Sequence, residues 1–171
     1  MIKGDALRHQ MVLPQQRDFY DYWRRKCVGG KLPSRADINP SEICAQLPMV
    51  TITEREISPQ TDDHRYLYRL AGTGFWRFYG DEIQGQYVDQ LPIGCRADYW
   101  HRVLDMVVDQ KRPFHGVTKP NTPIGSHMAQ FWVRLPLSDD GVNVTSILGY
   151  DHICPLETIA EPIRNPTKVY A

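Results

Sequence analysis

The sequence predicts an α+β domain: a five-stranded antiparallel sheet with short helices and one long helix on one face, preceded by N-terminal helices. Three observations predict it. Two strand-like stretches near residues 49–71 are followed by helical segments and then by three more strands, a two-plus-three order. No alternating βαβ run is present, which argues against a doubly wound nucleotide fold. A glycine-broken aromatic stretch, residues 66–91 (YLYRLAGTGFWRFYGDEIQGQYVDQL), joins the two groups of strands.

The bulk composition sets the bounds. A chain of 171 residues suits one domain and buries roughly 70% of the surface its unfolded form would expose, so a core needs no staples. Lysine plus arginine equals aspartate plus glutamate, 20 each, so no global field draws in nucleic acid or an acidic membrane. The dense basic run Arg24-Arg25-Lys26 falls in the last turn of a helix, where cations complement the dipole. No apolar run approaches the ~20 residues that span a bilayer. The start, MIKGDALRHQMVLP, lacks a signal-peptide apolar stretch. A cytoplasmic location is expected. Cys27, Cys44, Cys95 and Cys154 are far apart and form no CxxC pair, so neither a zinc site nor disulfides are expected, and they read as small buried hydrophobes.

Taken in order, residues 1–14 carry little pattern and read as a loose arm. From 15 to 28, Phe19, Tyr22, Trp23 and Cys27 share a helical face, and Gly29-Gly30 supplies the stop. Asn39-Pro40-Ser41-Glu42 starts a short helix that buries Ile43 and Leu47 and ends at Pro48. Residues 49–57 and 65–71 read as an antiparallel pair of strands around the turn 58–63. Tyr66, Tyr68 and Leu70 fall on one face of the second strand. A helix is predicted over 96–110, with Ala97, Trp100, Leu104, Val107 and Val108 apolar and Pro113 as the stop. Strands follow over 114–119, 128–137 and 142–153, the last two joined by a turn at Ser138-Asp139-Asp140-Gly141. In 128–137, Ala129, Phe131, Val133, Leu135 and Leu137 share one face, and Gln130, Trp132 and Arg134 the other. Prolines break up the tail, which holds one helical turn near 156–160.

The sharper motifs fare poorly. Gly72-Thr73-Gly74 follows a strand, as a dinucleotide fingerprint does, but Arg77 stands where the third glycine belongs. Glycine then permits a sharp exit from the strand and a tight approach of helix to sheet. The six histidines form no HExxH or HxH, so no metal site is expected. His101, beside Trp100, is an axial haem ligand in the sharp reading and a half-exposed helix residue in the plain one. Asp151 and His152 are neighbours on a strand and point to opposite faces, which weakens an acid–base dyad.

Several phrases carry a resemblance. Trp23, LPSRADINP (32–40), QLP (46–48), YRLAGTG (68–74), YGDEIQG (79–85) and LPLSDDG (135–141) resemble a bacterial family of short PAS-domain proteins, over about residues 19–153. Asn39 stands where aspartate is more usual in that family; both cap helices. The resemblance implies a PAS-like sheet-and-helix domain over 49–153, an N-terminal arm and packing helices over 1–48, and a tail over 154–171. It also implies a sensory module that binds a small molecule or a protein and signals through protein contacts, without catalysis of its own.

The pocket candidates are Phe75, Phe78, Tyr79, Trp100, His101 and Leu104, with Tyr68 and Arg69 as polar anchors. The same aromatics, with Trp76, also read as plain core. No cofactor is named. The expected partners are a signalling protein or a second copy of the chain, with no nucleic acid and no membrane insertion. Two rivals stand: a small α+β lyase or isomerase using a histidine–carboxylate pair such as His101 with an aspartate, and a pure protein-interaction domain with a filled core.

Overall fold

A computed structural model describes residues 3–159 and 168–170. Four α-helices are described: α1 (Lys3–Gln10), α2 (Pro14–Lys26), α3 (Trp76–Tyr79) and α4 (Arg96–Gln110). The strands are β1 (Val50–Ile57), β2 (His64–Ala71), β3 (Phe114–Thr118), β4 (Met128–Leu137), β5 (Ser146–Pro155) and β6 (Lys168–Tyr170). They form one antiparallel sheet in the order β2-β1-β5-β4-β3-β6. The two-plus-three arrangement is present, and β5 returns to the centre beside β1. The three-residue β6 adds an edge strand that the proline-rich tail did not suggest; most of that tail lies outside the described residues.

Both faces of the sheet are covered. On the outer face, Leu7, Met11, Phe19, Tyr20, Tyr22 and Trp23 pack against Val50, Ile52, Val133, Leu135, Leu148 and Tyr150. The segment expected to be a loose arm thus contains α1, whose Arg8 pairs with Asp21 of α2 at 2.8 Å. Phe19 stacks on Tyr150 with ring centres 4.9 Å apart. Trp23 Nε1 donates to the Pro136 carbonyl at 2.9 Å. Buried Gln16 donates from Nε2 to the Trp132 carbonyl at 3.0 Å. These bonds satisfy backbone groups of β4 that the helix would otherwise leave buried without water.

On the inner face, α4 lays Trp100, Val103, Leu104 and Val107 over Tyr66, Tyr68, Phe114 and Trp132. Between sheet and helix run the short turns of residues 72–95. Gly72 is required there by space: a Cβ would meet the Leu47 carbonyl oxygen at 2.2 Å and that of Pro48 at 2.3 Å. The tight approach expected at this glycine is therefore one of backbone to backbone, at an ordinary φ of −66°. Gly80 is different. It caps α3 at φ +76°, the left-handed conformation that side chains resist.

Two elements depart from expectation for local reasons. Residues 40–49 form 3-10 turns, not an α-helix; Asn39 still caps, its Oδ1 accepting from the Ser41 N–H at 3.1 Å. β5 starts at Ser146 because Asp140 holds the preceding loop, accepting from the Val142 and Asn143 N–H groups at 2.8 and 2.7 Å. The cysteines are not buried: Cys44 and Cys95 are exposed, and all four are free thiols.

Candidate functional site

The inner face of β4 and β5 carries an ion pair inside an aromatic core. Alternation on β4 turns Gln130, Trp132 and Arg134 inward, and β5 turns Gly149 and Asp151 toward them. Gly149 sits opposite Arg134 and leaves room for its side chain; a Cβ there would meet Arg134 Nη1 at 3.2 Å and Thr51 Oγ1 at 2.3 Å. The guanidinium folds back over this gap. Arg134 Nη2 lies 3.1 Å from Asp151 Oδ1 and 3.0 Å from Oδ2, but only the Oδ1 approach has hydrogen-bond geometry. Gln130 Nε2 donates to the same Oδ1 at 2.7 Å. Arg134 Nη1 donates to the Val133 and Tyr150 carbonyls.

The group is almost wholly enclosed: Asp151 is 0% exposed and Arg134 4%. Burial works against the Arg134 charge, and Asp151, helped by Tyr68 and Tyr79, more than offsets it, so its pKa stays raised. Burial likewise pushes the Tyr68 hydroxyl up to about 12, with Arg134 pulling it down and Asp151 pushing it up. Burial raises Tyr79 further, and Tyr68, Asp151, Arg134 and Gln130 all act on its hydroxyl. Two tyrosines, an arginine, an aspartate and a glutamine therefore converge beneath α4.

The residues expected to line a pocket separate into three groups. Tyr68, Phe75, Trp100 and Leu104 are buried in the inner core, and Tyr79 packs against it. Phe78 is buried as well. Arg69 is not an interior anchor. Its pairing skips in the register, Ile52 facing Leu70 and Thr53 facing Tyr68, so Arg69 is the extra residue of a bulge. It lies exposed and binds Glu54 and Glu56. The same bulge reverses the alternation, so Leu70 packs on the outer core while Ala71 joins the inner one. Trp76 is exposed, its indole donating to Glu82 at 3.0 Å. His101 is half-buried at the edge of α4, away from the ion pair, beside His64 and Asp105.

The inner core is crowded. Trp100 and Trp132 meet edge to face at 5.5 Å, and Trp132 donates to the Tyr99 hydroxyl at 3.0 Å. A surface hollow of ≈ 510 Å³ opens instead beside the β1–β2 turn, lined by Glu56, Arg65 and Tyr87 among others.

A profile of the PAS domain matches residues 11–151, most of the chain. The chain belongs to the PAS domain family. Among solved structures, this PAS domain is similar to a Vibrio cholerae VqmA dimer, a LuxR-type receptor described in the absence of its target DNA. The identity there is 14% and the TM-score 0.54, over 72% of this chain and 55% of that one. It is also similar to VqmA bound to DPO, at 13% identity and TM-score 0.51, over 68% of this chain and 58% of that one. A sensory box sensor histidine kinase from Vibrio cholerae aligns at 22% identity and TM-score 0.45, over 66% of this chain and 84% of that one. This chain spans little more than half the length of the VqmA chains it matches. A search of curated proteins finds no similar sequence. The family match assigns the PAS domain, and the likeness to VqmA shows a shared fold alone. Among the described residues, no helix is long and apolar enough to cross a membrane.

Sequence reasoning left Arg134, Asp151 and Gln130 out of the site of this PAS domain, weighing Asp151 only as a dyad with His152. The signal was there for two of them: Gln130 and Arg134 interrupt the second face of a strand whose first face is wholly apolar. Asp151 gave a fainter one, a lone carboxylate closing the run Ile147-Leu148-Gly149-Tyr150.

Proposed function

We propose that this PAS domain is a sensory module whose input is a small polar molecule held by Arg134, Asp151 and Gln130, with the hydroxyls of Tyr68 and Tyr79 beside them. Its state passes to a protein partner or a second copy by contact, without catalysis of its own. One observation carries the reading: a fully enclosed carboxylate keeps one oxygen, Oδ2, without an aligned donor, and Thr51 Oγ1 nearby also lacks a partner. A buried ionic group is costly unless every member is satisfied. A ligand bearing both a donor and an acceptor would complete the set. Tyr79 reaches this site from the turns of residues 72–85, where Gly80 and Gly85 stand at positive φ.

A specific observation favours a second reading. Trp100, Trp132 and Tyr99 pack closely around the ion pair, as in an interaction domain with a filled core. Native mass spectrometry of protein purified from its own host separates the two. The sensor reading expects a retained small molecule that Arg134→Gln loses while the fold survives. No retained mass, together with no thermal stabilisation by any member of a polar-metabolite panel, would leave the filled core.

A further inference from the structure

We propose that His64, His101 and Asp105 form a binding site for a divalent transition-metal ion of the zinc type. The site is separate from the interior ion pair and does not rest on the proposed ligand. One ligand atom from each residue lies within 4.8 Å of the other two. At zinc–nitrogen and zinc–oxygen distances near 2.0–2.1 Å, tetrahedral ligand atoms stand roughly 3.4 Å apart, so small side-chain rotations close the site. The ligands come from two rigid elements. His101 and Asp105 are four residues apart on one face of α4, and His64 opens β2.

The surrounding contacts suit an ion. His101 Nε2 lies 3.2 Å from the His64 carbonyl, and donating there leaves the Nδ1 lone pair facing Asp105 Oδ2, 3.4 Å away. A second ring nitrogen bonded to a carbonyl is the arrangement that orients metal-binding histidines. The Tyr66 hydroxyl donates to Asp105 Oδ1 at 2.7 Å and fixes the carboxylate plane. His64 Nε2 lies 2.6 Å from the same oxygen, a hydrogen-bonded contact that an ion bound to Nε2 would replace. All three side chains are about a quarter exposed, which leaves a way in and an open position for water. Two imidazoles and one carboxylate favour zinc, cobalt, nickel or copper over magnesium or calcium. Arg55 opposes the ion: its Nη2 lies 3.3 Å from His64 Nδ1, the nitrogen that must carry the proton once Nε2 is bound to metal. Asp109, 3.3 Å from Arg55 Nη1, offers that cation another partner. A bound ion would tie the start of β2 to α4, the helix that lies over the interior site.

The test uses the chain stripped of metal by a chelator, then titrated separately with Co²⁺ and Zn²⁺. One equivalent of Co²⁺ is expected to develop the d–d absorption of a four- or five-coordinate nitrogen–oxygen site, and Zn²⁺ to raise Tm. His64→Gln and His101→Gln should each weaken binding by at least about tenfold, and Tyr66→Phe by about ten- to a hundredfold. Arg55→Gln retains every ligand and should bind more tightly, which decides the matter if a ligand variant fails to fold. Absence of d–d absorption, binding unchanged in His101→Gln, or Arg55→Gln binding no tighter than the parent would overturn the site. So would a thiolate charge-transfer band, which would put the ion on Cys44 or Cys95.

Discussion

The guanidinium of Arg134 lies 4.7 Å from the ring centre of Trp100. One residue comes from the middle of β4 and the other from α4, so the contact bridges the sheet and the helix that covers it. A cation over a desolvated indole is worth about 2 kcal/mol. Trp100→Leu should therefore destabilise the fold through lost area and a lost partner for the charge, on the order of 3 kcal/mol. Urea denaturation measures this, and a loss below about 1 kcal/mol would show that the ring does not support the arginine.

Asp151 and Arg134 should prove strongly non-additive. Asp151→Ala strands a buried guanidinium and should cost about 3–5 kcal/mol. The double variant Asp151→Leu with Arg134→Met removes both charges and should cost much less than the sum of the single losses. Equilibrium unfolding of Asp151→Leu alone, Arg134→Met alone and the two together closes the cycle; additive losses would refute the coupling.

Two glycines should respond to alanine for different reasons. Gly72→Ala drives a methyl group into the Leu47 and Pro48 carbonyl oxygens, and backbone of that kind cannot give way cheaply; a loss on the order of 3 kcal/mol is expected. Gly80→Ala meets nothing within 4 Å and should cost only the left-handed penalty, about 1–2 kcal/mol. Thermal unfolding should rank Gly72→Ala as the more damaging; the reverse order would contradict the close approach at Gly72.

Trp23→Phe removes the indole donor to the Pro136 carbonyl while keeping most of the apolar body. An unsatisfied buried carbonyl costs about 1–3 kcal/mol. Amide exchange across β4 and α2 should rise together in this variant. Exchange confined to α2 would mean that the helix is not coupled to the strand.

Acidification should weaken the fold through His115. Burial pushes this imidazole from 6.5 down to about 4. Between those values the unfolded chain binds the proton and the folded chain does not. Stability is therefore intact above about pH 6.5 and falls as the pH drops toward 4, by on the order of 3 kcal/mol. His115→Gln should flatten most of this slope between pH 6.5 and 5, and a slope unchanged in that variant would assign it elsewhere.

The regular elements were legible because their periods are local. The face Phe19, Tyr22 and Trp23 marks α2, and the spacing of Trp100, Leu104 and Val107 marks α4 over the residues where it is observed. Alternation along 128–137 placed Gln130, Trp132 and Arg134 together on one side of β4. It did not show that this side too is buried, since that depends on α4 arriving from elsewhere in the chain. The bulge at Arg69 was equally invisible: one unpaired residue in β2 is a property of its pairing with β1, and it moved Leu70 off the face of Tyr66 and Tyr68 onto the outer core.

The chain by itself determined the order of helices and strands and the α+β class, because hydrophobic periodicity and turn residues act over a few positions and are written in the order of the residues. Only the tertiary structure decided which polar groups meet. Asp151 reaches Arg134 because the β4–β5 register sets Gly149 opposite the arginine and Asp151 opposite Trp132. His64 reaches His101 and Asp105 because β2 and α4 pack side by side. Such meetings depend on register and packing between distant segments, and no local pattern of residues encodes them.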